Sequence, residues 1–219
     1  QDFDINAFDN DSLTLTVVNA TDLSTQGLIS TSIVQTPQSA ILRLTYLPNR
    51  NGFAEVIVQA EDTFGLTIQD AFTVTVRAVN DAPVITSSQA LSAAEDTLTT
   101  LAGLSITDID AAETANGNIE VKFEVTHGTL TVNPLIGLGI TDNGTKRVTV
   151  TGTPASFATL LANPTGLRYL SDLDYNGIDS LVIEVNDGGN TGSGGALTSV
   201  ATVPLTVTAV NDAPTAVND

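Results

Sequence analysis

The 219 residues carry 25 Asp plus Glu against 7 Lys plus Arg, a formal net charge of −18, with 42% hydrophobic residues. Such a field repels phosphate backbones and anionic headgroups and attracts cations, which excludes nucleic acid and membrane surfaces as partners, while the apolar share is ample for a core. There is no cysteine, hence no disulfide framework, thiolate nucleophile or thiolate zinc site, and one histidine, His127, cannot make a His-rich metal centre.

No apolar run reaches the roughly eighteen residues that a spanning helix needs. The chain opens QDFDINAF, with neither a basic nor an apolar leader segment, and reads as a piece of a longer polypeptide. An acidic, cysteine-free composition suits an extracellular protein that is stabilised by something other than disulfides.

In chain order, apolar/polar alternation predicts strands at 13–18, 41–47, 55–60 and 72–77, and then at 119–126, 129–132, 147–151, 181–185 and 203–208. One segment departs from the period of two. At 154–162, Pro154 opens a stretch with Phe157, Leu160 and Leu161 spaced for a helix face, so one short helix is predicted there. All else reads as strand and turn.

The string AVNDAP occurs twice, at 78–83 and at 209–214, each time directly after an alternating Val/Thr strand. Proline lacks an N–H and holds its predecessor extended, so each copy marks a strand running into a stiff linker. The expected fold is all-β: two tandem Greek-key β-sandwiches, cadherin-like or immunoglobulin-like, joined by a short linker. The first repeat takes residues 1–80, lacking its N-terminal part; the second takes 81–214; and 215–219 begin the next linker.

A hard cation such as calcium takes about six to eight oxygen ligands, which short acids and amides on turns supply well. The second repeat holds Asp108-Ile-Asp110, Asp172-Leu-Asp174 and Asn186-Asp187-Gly188, with Glu95-Asp96 early and Asn211-Asp212 at its end. The first offers Asp9-Asn10-Asp11, Glu61-Asp62 and Asn80-Asp81. Solvated turns would use the same residue types, so the order and spacing of the acids carry the distinction.

That order is an early Glu, Asp-x-Asp, an acidic pair, an Asp after a strand, then Asn-Asp-x-Pro. It resembles a cadherin repeat, and more closely the cadherin-like repeats of giant bacterial surface adhesins of the RTX type. Those share ITDID, HGTL and NDGGNTGSGGA with residues 106–196 here, besides AVNDAP. The likeness covers most of 84–214 and, more loosely, 7–83.

The resemblance implies calcium shared between neighbouring repeats. The internal linker would use Asn80 and Asp81 from above with Asp108, Asp110 and Asp187 from below. Glu95, Asp172, Asp174, Asn211 and Asp212 would form half a site toward a following repeat. The first repeat departs from the pattern: Leu47 and Asn49 stand where the acidic pair belongs, and Ala7 replaces the first acid of Asp-x-Asp.

Catalysis is not expected. Paired carboxylates can cleave glycosides, but there is no Trp to wall a cleft, and Tyr46, Tyr169 and Tyr175 are the sole candidates for stacking on a sugar other than the phenylalanines. The glycines of 188–195 lack a following Lys-Ser/Thr and read as a hairpin, not as a phosphate loop. His127 is read as a turn residue ahead of Gly128. The function expected is that of a calcium-stiffened extender in a bacterial surface or secreted adhesin. Its partners would be neighbouring repeats; the alternative is a module that recognises polysaccharide or like repeats.

Overall fold

The structure, a computed structural model, describes residues 13–22, 27–36, 39–114 and 117–213. It is an all-β chain with two short helices, and it divides into two compact units, Gln1–Ala78 and Val79–Asp219.

The second unit is a two-layer sandwich. Its larger sheet has the order β12-β13-β10-β15-β16-β7, and facing it lie β11-β14-β8 and the pair β6-β9. The larger sheet comprises β7 (Leu91–Ala94), β10 (Ile119–Glu124), β12 (Gly139–Thr141), β13 (Arg147–Gly152), β15 (Gly177–Asn186) and β16 (Thr198–Thr208). The facing layer comprises β6 (Val84–Ser87), β8 (Thr99–Thr100), β9 (Leu104–Thr107), β11 (Thr129–Val132) and β14 (Leu167–Leu170).

Alternation decides what each strand buries. Val121 and Phe123 on β10, Leu181, Ile183 and Val185 on β15, and Leu205 on β16 are all fully buried. They meet Leu130, Val132, Leu167 and Tyr169 of the opposite layer in one core. Their intervening neighbours face solvent, where Lys122 pairs with Glu120 and Glu184, and Arg147 with Glu124. Those pairs are exposed and add little.

Two helices interrupt the strands. The predicted one, α2 (Pro154–Ala162), starts with Pro at its first turn and is capped by Thr153, whose Oγ1 accepts from the Ser156 N–H; Phe157, Leu160 and Leu161 close one end of the core. The other, α1 (Ile109–Glu113), departs from the expectation of strand and turn everywhere outside 154–162. Asp108 instead caps this single helical turn, accepting from the Ala111 N–H at 2.7 Å.

The first unit contains β1 (Thr14–Asp22), β4 (Gly52–Glu61) and β5 (Thr67–Val76) in one sheet, and β2 (Ile29–Thr36) with β3 (Ser39–Tyr46) in a hairpin. It repeats part of the second unit strand for strand. Gly52 faces Val76 across β4–β5 as Gly177 faces Val207 across β15–β16, and Leu15 faces Ala60 as Val121 faces Val185. The residues three before these glycines, Asn49 and Asp174, both adopt left-handed φ, 56° and 54°. This register makes Leu42, Phe72, Val74, Val76 and Arg77 the counterparts of Leu167, Val203, Leu205, Val207 and Thr208.

Candidate metal centres

The first centre is built around the chain as it enters the second unit. Asn80 is 5% exposed, Asp108 3%, Asp110 4% and Asp187 0%, so four polar side chains are buried together at one end of the sandwich. Each is placed by backbone. Asp108 caps α1, Asp110 lies in its first turn, and Asp187 directly follows β15, where its Oδ1 accepts from the N–H groups of Gly189 and Leu197 at 2.8 Å each.

Asn80 joins the entering segment, which runs between β5 and β6, to this group. Its Nδ2 donates to Asp187 Oδ2 at 2.6 Å and to the Gly195 carbonyl at 2.9 Å, and its backbone N–H donates to the Ser193 carbonyl at 2.9 Å. The Asp81 N–H donates to Asp110 Oδ2 at 2.6 Å, although Asp81 itself is exposed. The glycine-rich turn thus has a structural task. It is six residues longer than its counterpart between β4 and β5, and it reaches over to hold the incoming chain. Its Thr191 hydroxyl bonds the Asp110 carbonyl at 3.1 Å.

Electrostatics leave this centre short of positive charge. No Lys or Arg among the described residues forms an ion pair with Asp108, Asp110 or Asp187. Burial raises the Asp108 carboxyl above its ordinary value; the Ala111 N–H opposes this, and the nearby charges of Asp187 and Asp110 add to it. Two oxygens, Asp108 Oδ2 and Asn80 Oδ1, are buried without a hydrogen-bond partner. A buried oxygen acceptor without a donor is costly, and a cation meets that cost with oxygen ligands of this kind.

The second centre lies at the opposite end of the same sandwich. The carboxylates of Asp96, Asp174 and Asp212 have oxygens within 4.8 Å of one another, and all three are exposed. Asp96 and Asp174 are both left-handed, a conformation that Asp tolerates better than most residues, and the Asp174 N–H donates to Asp96 Oδ1 at 3.2 Å. Partial desolvation and the charges of Asp174, Asp96 and Glu95 hold the Asp212 carboxyl above its ordinary value.

Of the remaining residues expected at this end, Glu95 is buried and already accepts from the Val210 N–H (2.7 Å) and from Asn176 Nδ2 (3.0 Å). Asp172 lies 3.4 Å from Lys146, and Asn211 makes a long 3.4 Å bond to the Asp212 carbonyl. Asp96 is the member that sequence reasoning left out of the ligand set, although it stands beside Glu95. Only its approach to Asp174 and Asp212 in the fold gives it a part.

In the first unit, Asp62 is the counterpart of Asp187 and accepts from the Phe64 and Leu66 N–H groups at 2.8 Å each. Asp9, Asn10 and Asp11 lie outside the described residues. Among the tyrosines, Tyr169 is fully buried and donates to the His127 carbonyl and to Asp179, which excludes it from any sugar platform. His127 stacks on Tyr175 with ring centroids 4.1 Å apart.

Comparisons with known proteins return no matching family model and no matching curated protein. Among solved structures, the chain is similar to human mucin-like protocadherin EC1-2, with 17% identity over 91% of this chain and 85% of that one at TM-score 0.40. It is also similar to human protocadherin-24 EC1-2, with 16% identity over 93% and 85% at TM-score 0.38. With the protocadherin gamma B4 extracellular domain the identity is 16% and the TM-score 0.38, over 92% of this chain. The chain spans 27% of the length of that last protein.

Proposed function

We propose that this chain is a calcium-binding structural module of an extracellular adhesion protein, two extender repeats of a bacterial surface or secreted adhesin. One observation carries the reading. Three buried carboxylates, Asp108, Asp110 and Asp187, gather where the chain enters the second unit, no Lys or Arg among the described residues pairs with them, and two buried oxygens there lack any donor. The donor set is all oxygen, which suits calcium and not a soft transition metal.

Asp108, Asp110, Asp187 and Asn80 would hold the ion, with the exposed Asp81 next to them on the entering segment. The ion supplies the positive charge that offsets carboxylate repulsion. The protein's own part is to present these oxygens from three backbone segments, the entering segment at 80–81, α1 with its cap, and the turn after β15. Ligation therefore ties residues 80–81 to the body of the second unit, and binding energy becomes stiffness at the point where the chain leaves the first. The Asp96, Asp174 and Asp212 group would act in the same way toward a following repeat, with Glu95, Asp172 and Asn211 around it. The role is structural, without a catalytic step.

Trypsin tests this reading, because Arg77 lies three residues ahead of Asn80. Cleavage after Arg77 should slow at least about tenfold in millimolar calcium relative to chelator, since local opening of the entering segment becomes less frequent. Equal cleavage rates in calcium and in chelator would defeat the reading.

A further inference from the structure

We propose, on the basis of the calcium reading above, that the glycine-rich turn at 187–197 organises the first centre, and that Thr191, which ligates nothing itself, is its positioning residue. Two of the four side chains at the centre, Asp108 and Asp110, belong to α1 and its cap, and α1 is five residues long. An isolated helix is marginal in water below about 12–15 residues, so contacts from elsewhere in the chain must hold this one in place. The Asp108 cap secures its N-terminal end. Thr191 secures the other.

The Thr191 hydroxyl lies 3.1 Å from the Asp110 carbonyl oxygen and 2.7 Å from the Thr114 hydroxyl, and Thr114 Oγ1 lies 3.1 Å from the same carbonyl. With two protons for three close pairs, the hydroxyls bond each other and the carbonyl accepts from the one left free. Thr191 thus grips the main chain of the residue whose carboxylate accepts from the Asp81 N–H.

The turn can serve as an anchor because it is itself braced. Five of its eleven residues are glycine, all at positive φ, a composition that leaves a turn loose unless it is cross-linked. Asp187 Oδ1 closes it by accepting from the Gly189 and Leu197 N–H groups. Asn190 Nδ2 donates to the Asn118 carbonyl at 2.9 Å and to the Asp187 carbonyl. The Ser193 and Gly195 carbonyls hold Asn80, and Val79 bridges to Ser193. The turn in this way touches every segment that brings an oxygen to the centre: the entering segment, α1, and its own Asp187.

An ion is sensitive to that bracing. Asn80 Oδ1 and Asp108 Oδ2, on side chains 5% and 3% exposed, are the oxygens without a donor. The first is aimed by the bonds of Asn80 Nδ2 to Asp187 and Gly195, and the second moves with α1. Calcium takes its oxygens at about 2.3–2.6 Å, so a shift of α1 by about 0.5 Å or more spoils Asp108 and Asp110 together. Groups that orient metal ligands without touching the metal are worth about 10–100-fold in affinity.

The test uses the full chain and the rate of trypsin cleavage after Arg77 across a series of free calcium concentrations. Thr191→Val removes the hydroxyl and keeps the branched shape. It should raise the calcium concentration for half-maximal protection about tenfold or more. The rate in chelator should stay unchanged, because the bonds of Asn80 to Ser193, Gly195 and Asp187 remain. Thr191→Ser keeps the hydroxyl and should restore the midpoint of the parent. Thr114→Val removes the same hydroxyl pair from the α1 side and should give the same shift, which supplies the reading if Thr191→Val fails to fold. A shift that Thr191→Ser does not restore, or one matched by faster cleavage in chelator, marks a merely structural residue and overturns the proposal. Unchanged midpoints in both Val variants overturn it while leaving the calcium reading intact. Absence of any calcium protection in the parent chain overturns both.

Discussion

Replacing Asp108 by Asn separates a charge that destabilises the ion-free protein from the same charge acting as a ligand. Asn retains an oxygen that can accept from the Ala111 N–H and so preserves the cap of α1. It removes a buried charge that already faces Asp187 and Asp110 and has one unpartnered oxygen. In chelator the variant should therefore be as stable as the parent or more so. A ligand present at a hundred times Kd stabilises by about 2.7 kcal/mol, and if loss of one carboxylate raises Kd about a hundredfold the gain falls to about 0.4 kcal/mol. For a unit of this size each kcal/mol moves Tm by about 2–4 °C, so a calcium shift of about 5–11 °C should shrink to about 1–2 °C. Differential scanning calorimetry of both proteins, in chelator and in calcium, measures all four values. A variant that loses several degrees in chelator and keeps the full calcium shift would refute the reasoning, because Asp108 would then be a structural residue and no ligand.

Other expectations follow from the same features. Calcium should raise the transition of the second unit more than that of the first, where Leu47 and Asn49 stand at acid positions; equal shifts of the two calorimetric transitions would contradict this. Tyr169 has its pKa pushed well up, by burial first and then by the Asp179 charge, so the folded state holds the phenol proton more tightly than the unfolded one. Stability is thus retained below the unfolded value of about 10 and lost as pH rises above it, and Tyr169→Phe should flatten that alkaline decline while lowering neutral stability by about 1–2 kcal/mol, as alkaline melts would show. Phe157→Ala should cost about 3–5 kcal/mol in urea unfolding by opening a cavity under α2. Gly128 has φ +144°, and an added Cβ would meet the Leu170 carbonyl oxygen at 2.3 Å, so Gly128→Ala should lower the second transition clearly while leaving the first in place.

Where local pattern and tertiary contact agree, the chain is readable in advance. The strand at 129–132 and the helix at 154–162 occur with the boundaries expected, because alternation in one case and Pro154 with its apolar face in the other coincide with what the core buries. Strands at 55–60 and 181–185 prove longer, since pairing along the full length of β4–β5 and β15–β16 carries both strands past the alternating stretch, back to Gly52 and Gly177. The short strands β6 to β9 have two to four residues each, too few to show a period, and β7 exists because β16 lies beside it more than a hundred residues later.

The first centre was legible as a set of residue types. Its geometry was not, because Asp108 and Asp110 belong to a helical turn that lasts five residues and leaves no helical pattern. Nor did composition indicate that Asn80 would be clamped by the glycine-rich turn, a contact made across more than a hundred residues. At the other end the contacts of Asp172 with Lys146 and of Asp174 with Asp96 join residues 26 and 78 positions apart, which no local pattern announces.

Anomalous diffraction from crystals grown in calcium, or with terbium in its place, tests the central claim most directly. The account predicts a peak bounded by Asp108, Asp110 and Asp187 with Asn80 or Asp81 among its ligands, at oxygen distances of about 2.3–2.6 Å. Full-occupancy cation elsewhere, with only water against Asp108 Oδ2, would contradict it.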